Sequence, residues 1–166
     1  MSSPVTAARK RTRTAALAAA LLIIGPVTET ATAATPKEKA LRRKINAYRA
    51  EHNRKSLKMQ AKLVKFAHKQ AKKMAADGRF EPASDHSSPA QLTNYAQEAK
   101  CSSLAEIIAS TIGSAPDTLD ELMRQWQGSK PHNTIMLQKK WKKIGTGVFT
   151  DDKGRLWAVA LFCKPA

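Results

Sequence analysis

The chain has 166 residues and carries 29 Lys and Arg against 13 Asp and Glu, a formal net charge of +16. This length suits one domain with a modest hydrophobic core, and the sequence shows no internal repeat or second domain. Such a charge either attracts anionic polymers and acidic surfaces or serves only to keep the protein soluble.

Residues 1–33 have the order of segments found in a secretory signal peptide. Basic residues at 10–13 precede an apolar, uncharged run at 15–24, and residues 31–33 read Ala-Thr-Ala, which fits the A-x-A cleavage rule. A membrane-spanning helix would need about 20 apolar residues, so an uncleaved anchor is the weaker alternative. We predict a signal peptide over 1–33 and a secreted domain over 34–166.

Two helices are predicted at the start of this domain. The first begins at Thr35, because Thr-Pro-Lys-Glu places Glu38 where a capping box needs it and proline in the first turn. It is expected to end near Asn53. The second runs from about Met59 to Asp77 and stops at Gly78, a favourable residue after a helix C-terminus.

The middle of the chain has less regular patterns. Residues 80–91, with two prolines, are predicted to form a loop. Residues 92–99 fit either a strand or a helix. Residues 104–110 are predicted to form a short helix or a buried turn.

The last part of the chain predicts a helix followed by a β-hairpin. The helix begins at Asp117 or Thr118 and ends at Gly128, with apolar residues spaced at i, i+3, i+4 and i+7. Two segments rich in β-branched and aromatic residues, 144–150 and 155–163, flank an Asp-Asp-Lys-Gly turn. Helices followed by a terminal antiparallel hairpin indicate an α+β fold.

The chain has two cysteines, Cys101 and Cys163. In an oxidising compartment an even, minimal number of cysteines most simply forms one disulfide. Closing a loop of that length could add about 4 kcal/mol on the chain-entropy model. Two buried free thiols and metal ligation are the alternatives.

Three polar residues stand in otherwise uncharged surroundings: His86, Glu106 and His132. A carboxylate between Leu104 and Ile107 is costly to bury unless it is paired, and an imidazole could be the partner. Two His and one Glu with a water also form an open zinc shell, and a His–Glu pair can act in acid–base catalysis. Alternatively, Glu106 lies on the exposed side of a turn and both histidines are ordinary loop residues.

Five short motifs in a fixed order carry a family resemblance. They are Ile45-Asn46-Ala47-Tyr48-Arg49 in the opening helix, His86-Ser87, Ala105-Glu106-Ile107-Ile108-Ala109, Trp126 to His132 as W-x-x-S-x-x-H, and Ile144-Gly145-Thr146-Gly147 with Trp157 to Phe162. Each is weak alone, but the ordered set resembles the CAP superfamily, or SCP domain, which includes cysteine-rich secretory, antigen 5 and pathogenesis-related-1 proteins. The short bacterial members are the most similar.

The resemblance implies a three-layer α-β-α sandwich with a central antiparallel sheet and one cleft. In that cleft the family gathers two His and two Glu, and some members bind a divalent metal, such as Zn²⁺, through the histidines. By position, His86 and His132 match the two histidines, and Glu106 matches the first Glu.

The sequence departs from the family pattern at three of these positions. The second Glu would fall at Ser129, and Ala105 and Ile107 replace the Gly and Asn beside the first Glu. Loss of that Asn removes hydrogen bonds that normally position the Glu. These departures put catalysis in doubt more than the fold. His52 and His68 match no motif and are predicted to be surface or helix-face residues.

These observations predict a secreted CAP/SCP-domain protein that acts as a binding module and is by default not an enzyme. One alternative is an extracellular peptidase or other hydrolase, metal-dependent or not, with His86, Glu106 and His132 as catalytic residues. Another is an adhesion protein held by its charge. Expected partners are an anionic wall polymer, a lipid or membrane surface, or a protein. We do not expect nucleic acid because the chain is exported, and we expect a monomer.

Overall fold

The computed structural model describes residues 33–81, 85–111 and 118–166. The predicted signal peptide lies outside these ranges except for its last residue, and so does Asp117, one of the two predicted helix caps. Within these ranges no helix combines the length and the apolar character needed to cross a bilayer.

The described residues form five helices and four strands. The helices are α1 (Pro36–Glu51), α2 (Ala61–Asp77), α3 (Pro89–Glu98), α4 (Thr118–Gly128) and α5 (Lys130–Leu137). The strands are β1 (Lys58–Met59), β2 (Cys101–Ser110), β3 (Lys143–Thr150) and β4 (Leu156–Pro165). The predicted α+β class is therefore confirmed.

The four strands form one sheet in the order β1-β3-β4-β2. The pairs β2–β4 and β3–β4 are antiparallel, as the resemblance implied. The two-residue strand β1 pairs with β3 in parallel, so the sheet as a whole is mixed. In this order β2 is an edge strand.

Helices cover both faces of the sheet and make the predicted three-layer sandwich. One hydrophobic cluster joins α1, α4 and α5 to one face, through residues such as Leu41, Trp126 and Met136. The other cluster joins α2 and α3 to the opposite face. Residues 156–163 of β4 are all buried because this central strand is covered on both sides.

Local signals at the predicted helix and hairpin ends are confirmed. The Thr35 hydroxyl accepts from the Glu38 N–H, and the Glu38 carboxylate accepts from the Thr35 N–H. Gly78 follows α2 in the left-handed region, at φ 68°. The turn after β3 leads directly into β4, as the Asp-Asp-Lys-Gly pattern predicted.

Two predictions in the middle of the chain need correction. Residues 104–110 belong to strand β2 and form neither a helix nor a turn, because they pair with the long central strand β4. The loop predicted over 80–91 is too long, because helix α3 begins at Pro89. The helical alternative for 92–99 is confirmed as far as Glu98. Helix α5 was not predicted, although its Pro131 is a typical first-turn residue.

Close packing of α2 on β3 depends on Gly147. A Cβ added there would lie 2.1 Å from the Ala67 carbonyl carbon, and a backbone atom cannot swing away from it. We expect Gly147→Ala to lower the free energy of unfolding by about 3 kcal/mol, because α2 must move off the sheet. Urea unfolding followed by circular dichroism measures this change.

Gly128→Ala is the matched control, since a Cβ at Gly128 meets nothing within 4 Å. This control should leave the urea midpoint nearly unchanged. Equal midpoints for the two variants would show that the helix and the sheet are not in close contact at Gly147.

Candidate functional site

Glu106 of β2 lies at the centre of a buried hydrogen-bond network. Its side chain is only 1% exposed. One carboxylate oxygen is 3.0 Å from His86 Nδ1 and accepts the Ser87 N–H at 2.8 Å. The other oxygen accepts the Ser87 hydroxyl at 2.8 Å. Glu106 is therefore not an exposed turn residue, and its burial is balanced by these partners.

The segment that carries His86 is held from two sides. The Gln70 side chain of α2 donates to the Asp85 carbonyl, and the Asp85 carboxylate accepts the Glu81 N–H at 2.7 Å. On the other side, Ser88 caps the start of α3. These contacts place the His86 ring beside Glu106 while its side chain stays 38% exposed.

Tyr95 of α3 completes the network, and sequence reasoning missed it. Burial, and next the charge of Glu106, raise the pKa of Tyr95, while a hydrogen bond with the Ser87 side chain opposes that shift. Its ring stacks on Phe66 of α2 at 4.2 Å between centroids. The available signal was the Ser-Pro-Ala-Gln capping box at Ser88, which predicts that Tyr95 lies in a helix.

His132 lies in the first turn of α5 and approaches the site from the other helical layer. It lines a cavity of about 200 Å³ together with Ser129, Trp126 and Ile108. Trp126 Nε1 donates to the Ile108 carbonyl at 3.0 Å, which ties α4 to β2. Because β2 is an edge strand, side chains from both layers can meet beside it.

The electrostatics of His132 depend on its burial and on its neighbour His86. Burial, and next the charge of nearby His86, lower the pKa of His132. His132 is therefore neutral at neutral pH, and its ring makes no hydrogen bond within the described ranges. A lone pair on this imidazole is free to bind a metal or accept a proton.

Two residues that differ from the family pattern, Ser129 and Ile107, lie in or beside the cleft. Ser129, where the second Glu would fall, lines the same cavity as His132. Ile107 is fully buried in the core against the α1 layer, so packing replaces the hydrogen bonds of an Asn. A neighbouring groove of about 690 Å³ shares Phe80 and Gln125 with the cavity, which gives the cleft room for a ligand.

The other two histidines lie outside the cleft. His52 is exposed, and its Nδ1 lies 2.9 Å from the Tyr48 carbonyl. His68 lies on α2, where its Nδ1 is 2.9 Å from the buried Glu38 carboxylate. Neither contributes to the network around Glu106.

The predicted disulfide between Cys101 and Cys163 is present. It joins the first residue of β2 to β4, across 62 positions of the sequence. The alternatives of free thiols and of metal ligation by cysteine are therefore excluded for this structure.

The three-layer sandwich with a His/Glu cleft beside its edge strand is the architecture that the motif resemblance implied. Residues 42–163 match the profile described as CAP: Cysteine-rich secretory protein family, and the chain belongs to this family. The resemblance inferred from the motifs is thereby confirmed. No curated protein matches the chain.

Two solved structures with the same fold are described as bacterial outer surface or extracellular proteins. An outer surface protein from Borrelia burgdorferi is 22% identical with a TM-score of 0.63, over 77% of this chain and 92% of that chain. An extracellular SCP-domain protein from Bacillus anthracis str. Ames is 22% identical with a TM-score of 0.59. That match covers 80% of this chain and 45% of the longer protein. At these identities the matches show the fold alone.

The donor side chains of the cleft limit what it can coordinate. Within the described ranges, no group of three His, Cys, Asp or Glu side chains is arranged to hold an ion. His86 has its Nδ1 engaged by Glu106, and His132 is neutral. A structure described as manganese-bound Ac-ASP-7 is 14% identical with a TM-score of 0.49, a likeness too low to bear on metal binding by this chain.

Proposed function

We propose that this chain is a secreted binding module of the CAP family whose cleft holds a divalent metal through His86 and His132. Secretion is supported by the predicted signal peptide and by the disulfide, because disulfides form and persist in oxidising compartments. It is also supported by the two fold neighbours described as outer surface and extracellular proteins.

The observation that carries the metal proposal is the contact between His86 Nδ1 and the buried Glu106 carboxylate, at 3.0 Å. Histidines that bind metals commonly donate their second ring N–H to a carboxylate, which fixes the tautomer and the ring orientation. In this arrangement His86 Nε2 carries the lone pair and is available as a ligand. A bound metal would act as a Lewis acid towards an oxygen ligand in the cleft.

Binding is favoured over catalysis because, among the described residues, no second carboxylate stands at the position where the family has one. Both oxygens of Glu106 are engaged by His86 and Ser87. Ser129 stands where the family has its second Glu and cannot supply general acid–base chemistry at neutral pH. An extracellular hydrolase is the second candidate, supported by the His86–Glu106 pair, which resembles an oriented general base.

Zn²⁺ titration of metal-free protein tests the proposal. We expect binding near one ion per chain, and we expect it to disappear in a His86→Ala/His132→Ala variant. Because protons compete for both imidazoles, binding should weaken as the pH falls below about 6.5. The lowered pKa of His132 moves the loss of its contribution to lower pH than for an ordinary histidine. Isothermal titration calorimetry measures stoichiometry and affinity.

Two of the four histidines in the chain lie outside the cleft and provide a matched control. His52→Gln/His68→Gln removes the two histidines outside the cleft, and Gln keeps a hydrogen-bonding group next to Glu38. This variant should bind Zn²⁺ as the unmodified chain does. Tight binding by the His86→Ala/His132→Ala variant would show that the metal site lies elsewhere.

A further inference from the structure

Another pocket lies beyond the C-terminal end of α5 and shares no residue with the cavity that contains His132. Its volume is about 190 Å³. Four of its five lining residues are cationic. The lining consists of Asn53, Arg54, Lys55, Lys139 and Lys142.

None of these four cations has an acidic partner in the described part of the chain. Other basic residues in that part do have one. Lys73 pairs with Asp77 on α2, and Lys44 pairs with Asp120 between α1 and α4. Within the described ranges, by contrast, none of the four pocket cations forms an ion pair. Like charges gathered without counter-charge repel one another, so an anion entering the pocket would be stabilised.

Arg54 connects two of the segments that form this pocket. Its Nε donates to the Leu137 carbonyl at 2.7 Å, which joins the segment after α1 to the end of α5. The segment is also held to the end of α1, because the Arg54 N–H donates to the Arg49 carbonyl at 2.8 Å. The pocket is therefore a shaped site and not a chance cluster of surface lysines.

Arg49 lies beneath the pocket walls and adds a buried positive charge. It is fully buried, and its guanidinium donates to carbonyl oxygens of Lys55, Met136 and Gln138. No carboxylate pairs with it among the described residues. Burial, and next the charge of Arg54, lower the pKa of Arg49. A buried cation that is bonded only to carbonyls increases the attraction of this region for an anion.

We propose that this pocket binds a phosphate group of a linear phosphate polymer. A phosphate presents several oxygens to surrounding donors, and Arg and Lys are the residues that recognise it. The excess of basic over acidic residues favours a polymer over free phosphate, because successive phosphates would meet further basic residues outside the pocket. The lining contains no apolar side chain, whereas membrane-surface binding normally adds apolar insertion to charge.

Calorimetric titration with linear inorganic polyphosphate at low ionic strength tests this assignment. The pocket variant is Lys139→Gln/Lys142→Gln. The matched control is Lys69→Gln/Lys72→Gln, which removes the same charge from exposed, unpaired positions of α2 on the opposite face of the sheet. We expect the pocket variant to bind about tenfold or more weakly, because two charge-assisted hydrogen bonds are lost. The control should stay close to the unmodified chain.

Equal weakening of the two variants would overturn the proposal, because binding would then depend on overall charge and not on the pocket. So would unchanged binding in the pocket variant. Vesicles of phosphatidylglycerol and phosphatidylcholine form the second arm. If the chain binds these vesicles through Lys139 and Lys142 but does not bind polyphosphate, the ligand is a lipid surface and the polymer proposal fails.

The pocket proposal is independent of the metal cleft. The His86→Ala/His132→Ala variant should therefore bind polyphosphate as the unmodified chain does. Loss of polyphosphate binding in that variant would place the anion site in the cleft and overturn the assignment to the pocket.

Discussion

Glu106→Ala is expected to lower the free energy of unfolding by about 3 kcal/mol and to abolish Zn²⁺ binding. The substitution leaves the buried N–H and hydroxyl of Ser87 without their acceptor, and each unsatisfied buried donor is costly. It also frees the His86 ring, whose orientation depends on the carboxylate. Urea unfolding measures the first effect, and calorimetric titration measures the second.

Two further variants make this result interpretable. Glu98→Ala removes an exposed carboxylate from α3 and should change stability by less than about 0.5 kcal/mol. Glu106→Gln keeps the size of the side chain and an acceptor for the Ser87 N–H, so the protein should stay folded, but His86 loses its charged partner. Weaker Zn²⁺ binding by a folded Glu106→Gln variant would separate positioning of His86 from simple loss of stability. If Glu106→Ala and Glu98→Ala unfolded at the same urea concentration, the buried network would not contribute to stability.

Removing the disulfide is expected to lower the free energy of unfolding by about 4 kcal/mol. Cys101 and Cys163 are 62 positions apart, and a crosslink over that distance removes much conformational entropy from the unfolded chain. The bridge also joins the edge strand β2 to β4, so the strand that carries Glu106 depends on it. Thermal or urea unfolding of a Cys101→Ala/Cys163→Ala variant measures the change.

Dithiothreitol provides the control for this prediction. It should destabilise the unmodified chain by about the same amount as the double substitution and should leave the variant unchanged, since the reductant then has no bridge to break. Equal stability of the oxidised and reduced chain would show that strand pairing alone holds β2 in place.

Elements whose ends are set by local chemistry were predictable from the sequence. The Thr35 capping box, the Gly78 terminus and the turn after β3 all depend on residues within a few positions of one another. The apolar spacing that begins at Leu119 also predicted α4, because its buried side chains repeat with the helical period. Such signals do not depend on what packs against the element.

Elements whose identity depends on distant partners were not predictable in the same way. The segment Ile107-Ile108 is apolar on both faces, and a short run of this kind fits a buried helix as well as a strand. Pairing with β4 and cover from both helical layers decide the outcome. Tyr95 was missed for a related reason, because its role depends on Ser87 and Glu106, which are distant in sequence or lie on another element.

The sequence by itself determined the α+β class, the family, the two cysteines that could pair and three residues of the candidate site. These properties follow from composition, local signals and the order of short motifs. Only the tertiary structure decided that Glu106 is buried and satisfied, that His86 is held against it, and that His132 approaches from the opposite layer. It also decided that four cations surround one pocket without acidic partners in the described ranges. The physical reason is that burial and charge pairing depend on which distant residues are brought into contact.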